Sequence, residues 1–279
     1  MDLSYKTTKE MGSNLTWIRT GGEVEVFRPD SILELKSFVK SGVDYFPLGM
    51  GSNTIIKDTN LDKVILKLDN LYKEIELEYP YIIVGSGVPN FTVSRFCIQN
   101  FLGGLEFLHT IPGSIGGGVF MNAGAYGSCF SDNLEWVEVM DIFGSVSKLY
   151  KKEIKFSYRK CHVPKTFIFL RACFKVFKDE KIKEKVDGYV VSRNLTQPRF
   201  LTLGSTFKNP EGKKAWELID QAGCRGFAIG GAKMSEKHCN FIVNTGGATS
   251  GDIVKLINSV QSFVFSKTGI LLDREIVLL

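Results

Sequence analysis

Residues 23–29, EVEVFRP, place apolar side chains at alternate positions, which predicts a short half-buried strand. Residues 31–42, SILELKSFVKSG, switch to helical spacing closed by Gly42. YFPLGMGSNTIIKD (45–58) reads as strand, glycine turn and strand, followed by the strand KVILKL (63–68). YIIVGSG (81–87) runs into a second glycine turn, and NFTVSRFCIQN (90–100) is helical again. Further on, LEWVEVMDIFGSVSKLY (134–150) predicts a hairpin turning near Gly144, and TFIFLRACFKVFKD (166–179) a long strand. KDEKIKEK (178–185) mixes both charges and is read as a solvated hairpin or loop.

The strand pattern breaks over residues 186–204, where a proline stands, and this marks a domain boundary. After it, KAWELIDQAG (214–223) is an amphipathic helix stopped by Gly223, and CNFIVNTGG (239–247) is a strand. Residues 250–269 form a helix with Ser250 as its cap and Asp252 in its first turn. ILLDREIVLL (270–279) closes the chain as a strand. The class is α+β, with no internal repeat. At 279 residues two packed units are expected, the alternative being one large α/β domain.

Composition narrows the function. The net charge of +5 is spread along the chain, so a concentrated nucleic-acid-binding face is not expected. Residues 1–14 lack the basic-then-apolar order of a signal peptide, and no apolar run of ~18 residues could span a bilayer. A cytoplasmic protein without a membrane partner is expected, and a monomer. The six cysteines show neither a CxxC pair nor zinc spacing, and the three histidines are scattered; reduced, buried thiols and no metal site are expected.

The stretch GLEFLHTIPGSIGGGVFMNAGAYG (104–127) holds seven glycines and one charged side chain, Glu106. Glycines let backbone N–H groups approach a ligand and permit positive φ, as a loop cradling phosphate oxygens requires. GMGSNT (49–54) and GSGVPN (85–90) each begin like a dinucleotide fingerprint but lack its third glycine. For any single glycine a tight turn explains as much. Three such loops, two directly after strands, point to a long cofactor lying across them.

PLGMGSN (47–53), the 104–127 stretch, SYRKCHV (157–163), GSTFKNP (204–210), GGAKMSEKHCNFIVNTGGAT (230–249) and LDREI (272–276) together resemble the ordered motifs of the UDP-N-acetylenolpyruvoylglucosamine reductase (MurB) family. The resemblance covers nearly the whole chain. It implies a vanillyl-alcohol-oxidase (PCMH)-type FAD-binding domain over residues 1–190. A C-terminal α+β substrate-binding domain would span 191–279, its last strand carrying Glu275 back to the active site. The chain looks like the shorter subgroup that lacks an additional substrate-covering loop.

The implied reaction reduces UDP-N-acetylglucosamine enolpyruvate to UDP-N-acetylmuramate in peptidoglycan precursor synthesis. Hydride passes from NADPH to FAD and on to C3 of the substrate, and C2 is then protonated. By the same resemblance FAD is held by Gly49, Gly51, Ser52, Asn53, Ile111, Pro112, Gly113, Ser114, Gly116, Gly117, Asn122, Gly124 and Ala125, where bulkier side chains would collide with it. Arg159 matches the cation for the substrate carboxylate, and a guanidinium suits bidentate binding of that group. Tyr158 positions it. Ser205 matches the proton donor to C2, a weak acid needing help for which Lys208 and Glu275 are candidates. Without the family, an acid in so apolar a terminal run is either an edge-strand solubility device or a functional group. Asn209 and His238 match substrate contacts. Two positions depart from the family pattern: Met50, where a smaller residue is common, and Val277, where an arginine often follows.

Two rival readings differ in class. A FAD-dependent 2-hydroxy acid or sugar oxidase would share the glycine loops but not SYR, GSTFKNP and Glu275 together. A silent nucleotide-sugar binding protein would be expected to have lost Arg159, Ser205 or Glu275, and all three are present.

Overall fold

The structure, a computed structural model, describes residues 5–199 and 201–279. Residues 1–4, part of the N-terminal stretch read above, and Phe200, within the expected boundary segment, lie outside the described residues. Two compact units emerge. The first comprises Met1–Thr8, Glu25–Met50 and Asp62–Val191; the second comprises Lys9–Val24, Gly51–Leu61 and Ser192–Leu279. The chain thus visits the second unit twice before residue 62, and position 190/191 falls inside a helix, Ile182–Thr196.

In the first unit, Val64–Leu66 lies parallel to Tyr45–Pro47 and to residues 26–27 of the Glu23–Phe27 strand. The helix Ile32–Lys40 starts at Ser31, whose hydroxyl accepts from the Glu34 backbone at 3.2 Å, and ends before Gly42 at φ 74°. That glycine suits a left-handed end that costs other residues energy. Leu35, Phe38 and Val39 of the helix share a core with Phe27, Leu66 and Leu170. A second, antiparallel sheet has the order Val146–Tyr150, Leu134–Met140, Ile168–Lys175, Tyr81–Gly85, Ile75–Glu78. Its core takes in Val93 and Cys97 from the helix Asn90–Gln99, and Ile115 and Val119 from the glycine-rich stretch.

In the second unit the antiparallel order is Thr202–Ser205, Phe241–Asn244, Ala232–Met234, Ala228–Ile229. The helices Ala215–Gln221 and Ser250–Thr268 contribute Leu218, Ile219, Leu256 and Val260 to one core with Ile18, Ile55 and Leu272. Each such fully buried side chain is worth about 1.5–3 kcal/mol of transfer energy, which is what ties residues 9–24 and 51–61 to this unit.

Four expectations change. Residues 182–185 of KDEKIKEK are helical, not a hairpin: Lys183 pairs with Asp187 one turn on at 2.6 Å, and Lys185 reaches Asp179 at 2.5 Å. The long strand ends at Lys175, because Val176 turns aside to donate to the Pro80 carbonyl and Phe177–Lys178 pair instead with Leu102–Gly103. The cap of the last helix is Thr249, one residue earlier than Ser250, in a capping box with Asp252. Finally, the C-terminal run is not one strand. Arg274 bridges Phe207 antiparallel, the chain bends at Ile276, and Val277–Leu278 pair parallel with Thr54–Ile55, so a change of partner divides it.

Candidate active site

The glycine loops of the first unit are knitted to one another by backbone bonds. Ile115 N donates to Val88 O and Gly116 N to Ser86 O, both at 3.0 Å, while Asn90 N and its side-chain amide donate to Gly113 O and Ile111 O. The first two N–H groups of the short helix Ile115–Phe120 are thereby occupied by protein. Ile111, Pro112 and Gly113 remain partly exposed, and Ser114 is buried. A side chain at Gly49 would bring its Cβ within 2.6 Å of Ser114 Oγ, so the Ser114 hydroxyl of the third loop occupies the space a side chain on the first would need. Lys67 Nζ holds the Gly49 carbonyl at 2.6 Å.

Not every glycine leaves room for a ligand. A Cβ at Gly51 would fall 1.9 Å from Leu15 O, one at Gly116 2.9 Å from Ser86 Cβ, and one at Gly124 2.4 Å from Ser128 O. At these three positions the protein's own packing forbids a side chain, whatever else binds there. Gly117 differs: its Cβ would meet nothing nearer than Ser114 Oγ at 3.9 Å. Two buried side-chain atoms in the second loop, Ser86 Oγ and Asn90 Oδ1, have no hydrogen-bond partner in the protein. An open glycine, partly exposed loop backbone and unused polar atoms fit a flavin nucleotide.

The strands Lys155–Ser157 and Lys160–His162 form a hairpin whose two turn residues are Tyr158 and Arg159. Arg159 sits at φ 56°, a position usually given to glycine and costing an ordinary residue about 1–2 kcal/mol. Its Nη2 donates to Gly124 O at 2.8 Å, and its guanidinium carbon lies 4.9 Å from the Tyr158 ring centroid. Gly124 and Ala125 pair with Cys129 and Ser128 around Tyr126 and Gly127, both at positive φ, the signature of a tight hairpin turn. Asn122 is buried, with Nδ2 on Ser157 O and Oδ1 accepting from Ser131 N, both at 3.0 Å. Asn122, Cys129, Ser131, Phe156, Ser157, Tyr158 and Arg159 line an open cavity of about 260 Å³.

In the second unit, the segment just after Ser205 runs antiparallel to the segment carrying Glu275, through the Phe207–Arg274 bridge. Glu275 N donates to Thr206 O at 2.9 Å and Lys208 N to Asp273 O at 2.8 Å. Asn53, at the end of the first glycine loop, brackets the same acid: its Nδ2 donates to Glu275 O at 3.0 Å and its carbonyl accepts from Val277 N. Ser52 and Lys208 are partly exposed beside these contacts in sequence. Asn240 fixes the serine segment, accepting from Thr206 N and exchanging two side-chain bonds with Phe207.

Residues 197–279 match the C-terminal domain of UDP-N-acetylenolpyruvoylglucosamine reductase, and residues 25–150 match a FAD binding domain. The chain is 46% identical over 270 residues to the UDP-N-acetylenolpyruvoylglucosamine reductase of Rickettsia prowazekii (strain Madrid E), covering 94% of this chain and 92% of that one. It is 45% identical over the same length to the enzyme of Rickettsia typhi. The chain belongs to the UDP-N-acetylenolpyruvoylglucosamine reductase family.

The crystal structure of MurB from Thermus caldophilus, at 30% identity, superposes with a TM-score of 0.89 over 98% of this chain and 99% of that one. The fold is therefore that of the reductase family, a PCMH-type FAD-binding domain with the family's C-terminal domain, as the motifs implied. The match over residues 197–279 also removes the ground for the oxidase reading, which gave no account of that half of the motifs.

Other residues named from the reductase motifs carry internal duties. Asn209 Oδ1 accepts from Ala215 N at 2.9 Å, ahead of the Ala215–Gln221 helix. His238 is partly buried against Phe241, its Nδ1 accepts from Asn240 N at 3.4 Å, and burial holds its pKa below the ordinary histidine value. Lys67, Ser86, Asn90 and Asn240 went unread in the sequence. Lys67 was the most legible of them, a charge directly after the apolar run Val64–Leu66. Among the described residues no helix is long and apolar enough to cross a membrane, and no cluster of His, Cys, Asp and Glu could hold a metal ion.

Proposed function

We propose that this protein is the reductase its family implies, an NADPH-dependent flavoenzyme converting UDP-N-acetylglucosamine enolpyruvate to UDP-N-acetylmuramate for peptidoglycan. FAD, when bound, accepts hydride from NADPH and supplies it to the substrate. Gly49, the 111–117 loop with Gly117 at its open point, and Ser52 and Asn53 would hold it. The observation that carries the reading is the ladder of residues 206–208 against 273–275 with Asn53 on Glu275, which sets the expected acid beside the residue that follows Ser205 and at the end of a flavin loop.

Hydride arriving at substrate C3 leaves negative charge at C2 and the attached carboxylate. Arg159 receives that carboxylate; its backbone is fixed in the turn and its Nη2 anchored on Gly124 O, so little reorganisation is needed as charge grows. One such preorganised contact is worth about 3 kcal/mol of transition-state stabilisation. The Ser205 hydroxyl then gives its proton to C2. Glu275 and Lys208, held on the neighbouring positions of the ladder, help restore that proton from solvent. Asn209 and His238 contribute to substrate binding. We further place the enzyme in the cytoplasm as a monomer, with residues 1–190 mainly serving the flavin and 191–279 the substrate; light scattering and cell fractionation test the first two points.

Anaerobic spectroscopy tests the reaction. NADPH should bleach the bound flavin, and enolpyruvyl substrate should restore its colour without oxygen. Ser205→Ala should leave bleaching intact and slow the return by at least about a hundredfold, as expected of a lost general acid. Colour that returns only in air removes the reductase reading; equal slowing of both steps removes Ser205 as proton donor.

A further inference from the structure

The loop after the short Ile115–Phe120 helix and the Tyr158–Arg159 turn are joined by two bonds running in opposite directions. Asn122 Nδ2 donates to Ser157 O at 3.0 Å, and Arg159 Nη2 donates to Gly124 O at 2.8 Å. Both segments are in left-handed backbone, Asn122 at φ 42°, which asparagine tolerates, and Arg159 at φ 56°, which is not the relaxed conformation for arginine. The other end of the Asn122 amide is also used, accepting from Ser131 N. Asn122 is 5% exposed, and its carboxamide therefore acts as a strut from the start of residues 130–133 to the carbonyl two positions before Arg159.

We propose that Asn122, which the family resemblance placed among the residues holding FAD, is instead a positioning residue for Arg159: it holds the hairpin in the left-handed turn that aims the guanidinium, and it serves the substrate step rather than flavin binding. The proposal rests on the role of Arg159 given above. The two ends of the amide make the idea separable. Asn122→Asp keeps an acceptor for Ser131 N and a side chain that tolerates positive φ, but it replaces the donor to Ser157 O with an oxygen. Asn122→Gly removes both bonds and keeps the backbone conformation at no strain.

The experiment follows the two half-reactions of the purified flavoprotein by anaerobic stopped flow, with FAD affinity from fluorescence recovery. Expected for both variants are unchanged FAD affinity, bleaching by NADPH within twofold of wild type, and reoxidation by enolpyruvyl substrate slowed about tenfold or more with a raised KM. Combined with Arg159→Ala, neither Asn122 substitution should slow reoxidation by more than twofold further, because the group it positions is gone. Full additivity in that background overturns the proposal, as does weakened FAD binding with reoxidation otherwise normal. Slow Arg159→Ala with fast Asn122→Asp and Asn122→Gly overturns the strut alone. Wild-type reoxidation by Arg159→Ala overturns the carboxylate role on which the strut depends.

Discussion

Gly117 and Gly118 are adjacent in one short helix, yet adding a methyl group should have opposite consequences at the two. At Gly118 the new Cβ would fall 2.1 Å from Phe130 Cζ and 2.5 Å from its Cε2. Carbon atoms prefer about 3.5–4.0 Å, so the ring must retreat by more than 1 Å. It has nowhere to go: Phe130 is fully buried, with Phe107 and Phe174 set edge-on to it at 5.9 Å. Overpacking of this severity costs about 3 kcal/mol, and the helix propensity gained on replacing glycine returns about 1, leaving Gly118→Ala destabilised by about 2 kcal/mol. At Gly117 nothing stands within 3.9 Å, so Gly117→Ala should gain about 1 kcal/mol in the FAD-free protein. Its penalty should fall on flavin affinity instead. The assay is denaturant unfolding of both apoproteins, followed by FAD titration. Phe130→Leu should relieve Gly118→Ala by making space for the methyl group. If Gly117→Ala binds FAD as wild type does, or if Gly118→Ala is as stable as wild type, the assignment of one glycine to the ligand and the other to the core is refuted.

Lys67→Met removes the ammonium that holds the Gly49 carbonyl and should weaken FAD binding about tenfold without lowering the stability of the apoprotein by as much, read by FAD titration beside thermal melting. Cys129 should be the single fast-reacting thiol in native protein: Cys97 and Cys161 are pushed by burial up to about 12, Cys173 and Cys239 to about 11, and Cys224 is raised by the same cause. A chromogenic disulfide at pH 8 should titrate one group quickly and Cys129→Ser none. Thr249→Ala should cost the last long helix about 1 kcal/mol through its lost cap. The Thr249 backbone and hydroxyl hold the Asp252 carboxyl below its usual range, so the contribution of this box is present above that range and lost as the pH falls through the lowered value. The protection of first-turn amides, measured against their intrinsic exchange rates at each pH, should therefore fall in acid for wild type and depend less on pH in Thr249→Ala.

The elements were legible where one physical signal dominated. Alternation gave the strand Glu23–Phe27, and helical spacing with a terminal glycine gave Ile32–Lys40. Reading failed where a segment's partners are remote. Residues 182–185 carry too much charge for a loop and a helix to be told apart, and what decides is Asp179 capturing Lys185. The final run is apolar enough for one strand, but it is divided because residues 206–208 and 53–55 claim it in turn. The site shows the same division. Motif spacing singles out Arg159, Ser205 and Glu275 because the chemistry needs those side chains. It is silent on Asn122 acting through Ser157, on Lys67 holding Gly49 and on Asn53 bracketing Glu275, whose partners are carbonyl groups with no sequence identity to read. The glycines were the hardest to interpret, since a missing side chain looks the same whether it yields to a ligand, as proposed for Gly117, or to the ring of Phe130, as at Gly118. A motif rich in glycine therefore records two selective pressures at once, and only the distance from each absent Cβ to its nearest neighbour separates them.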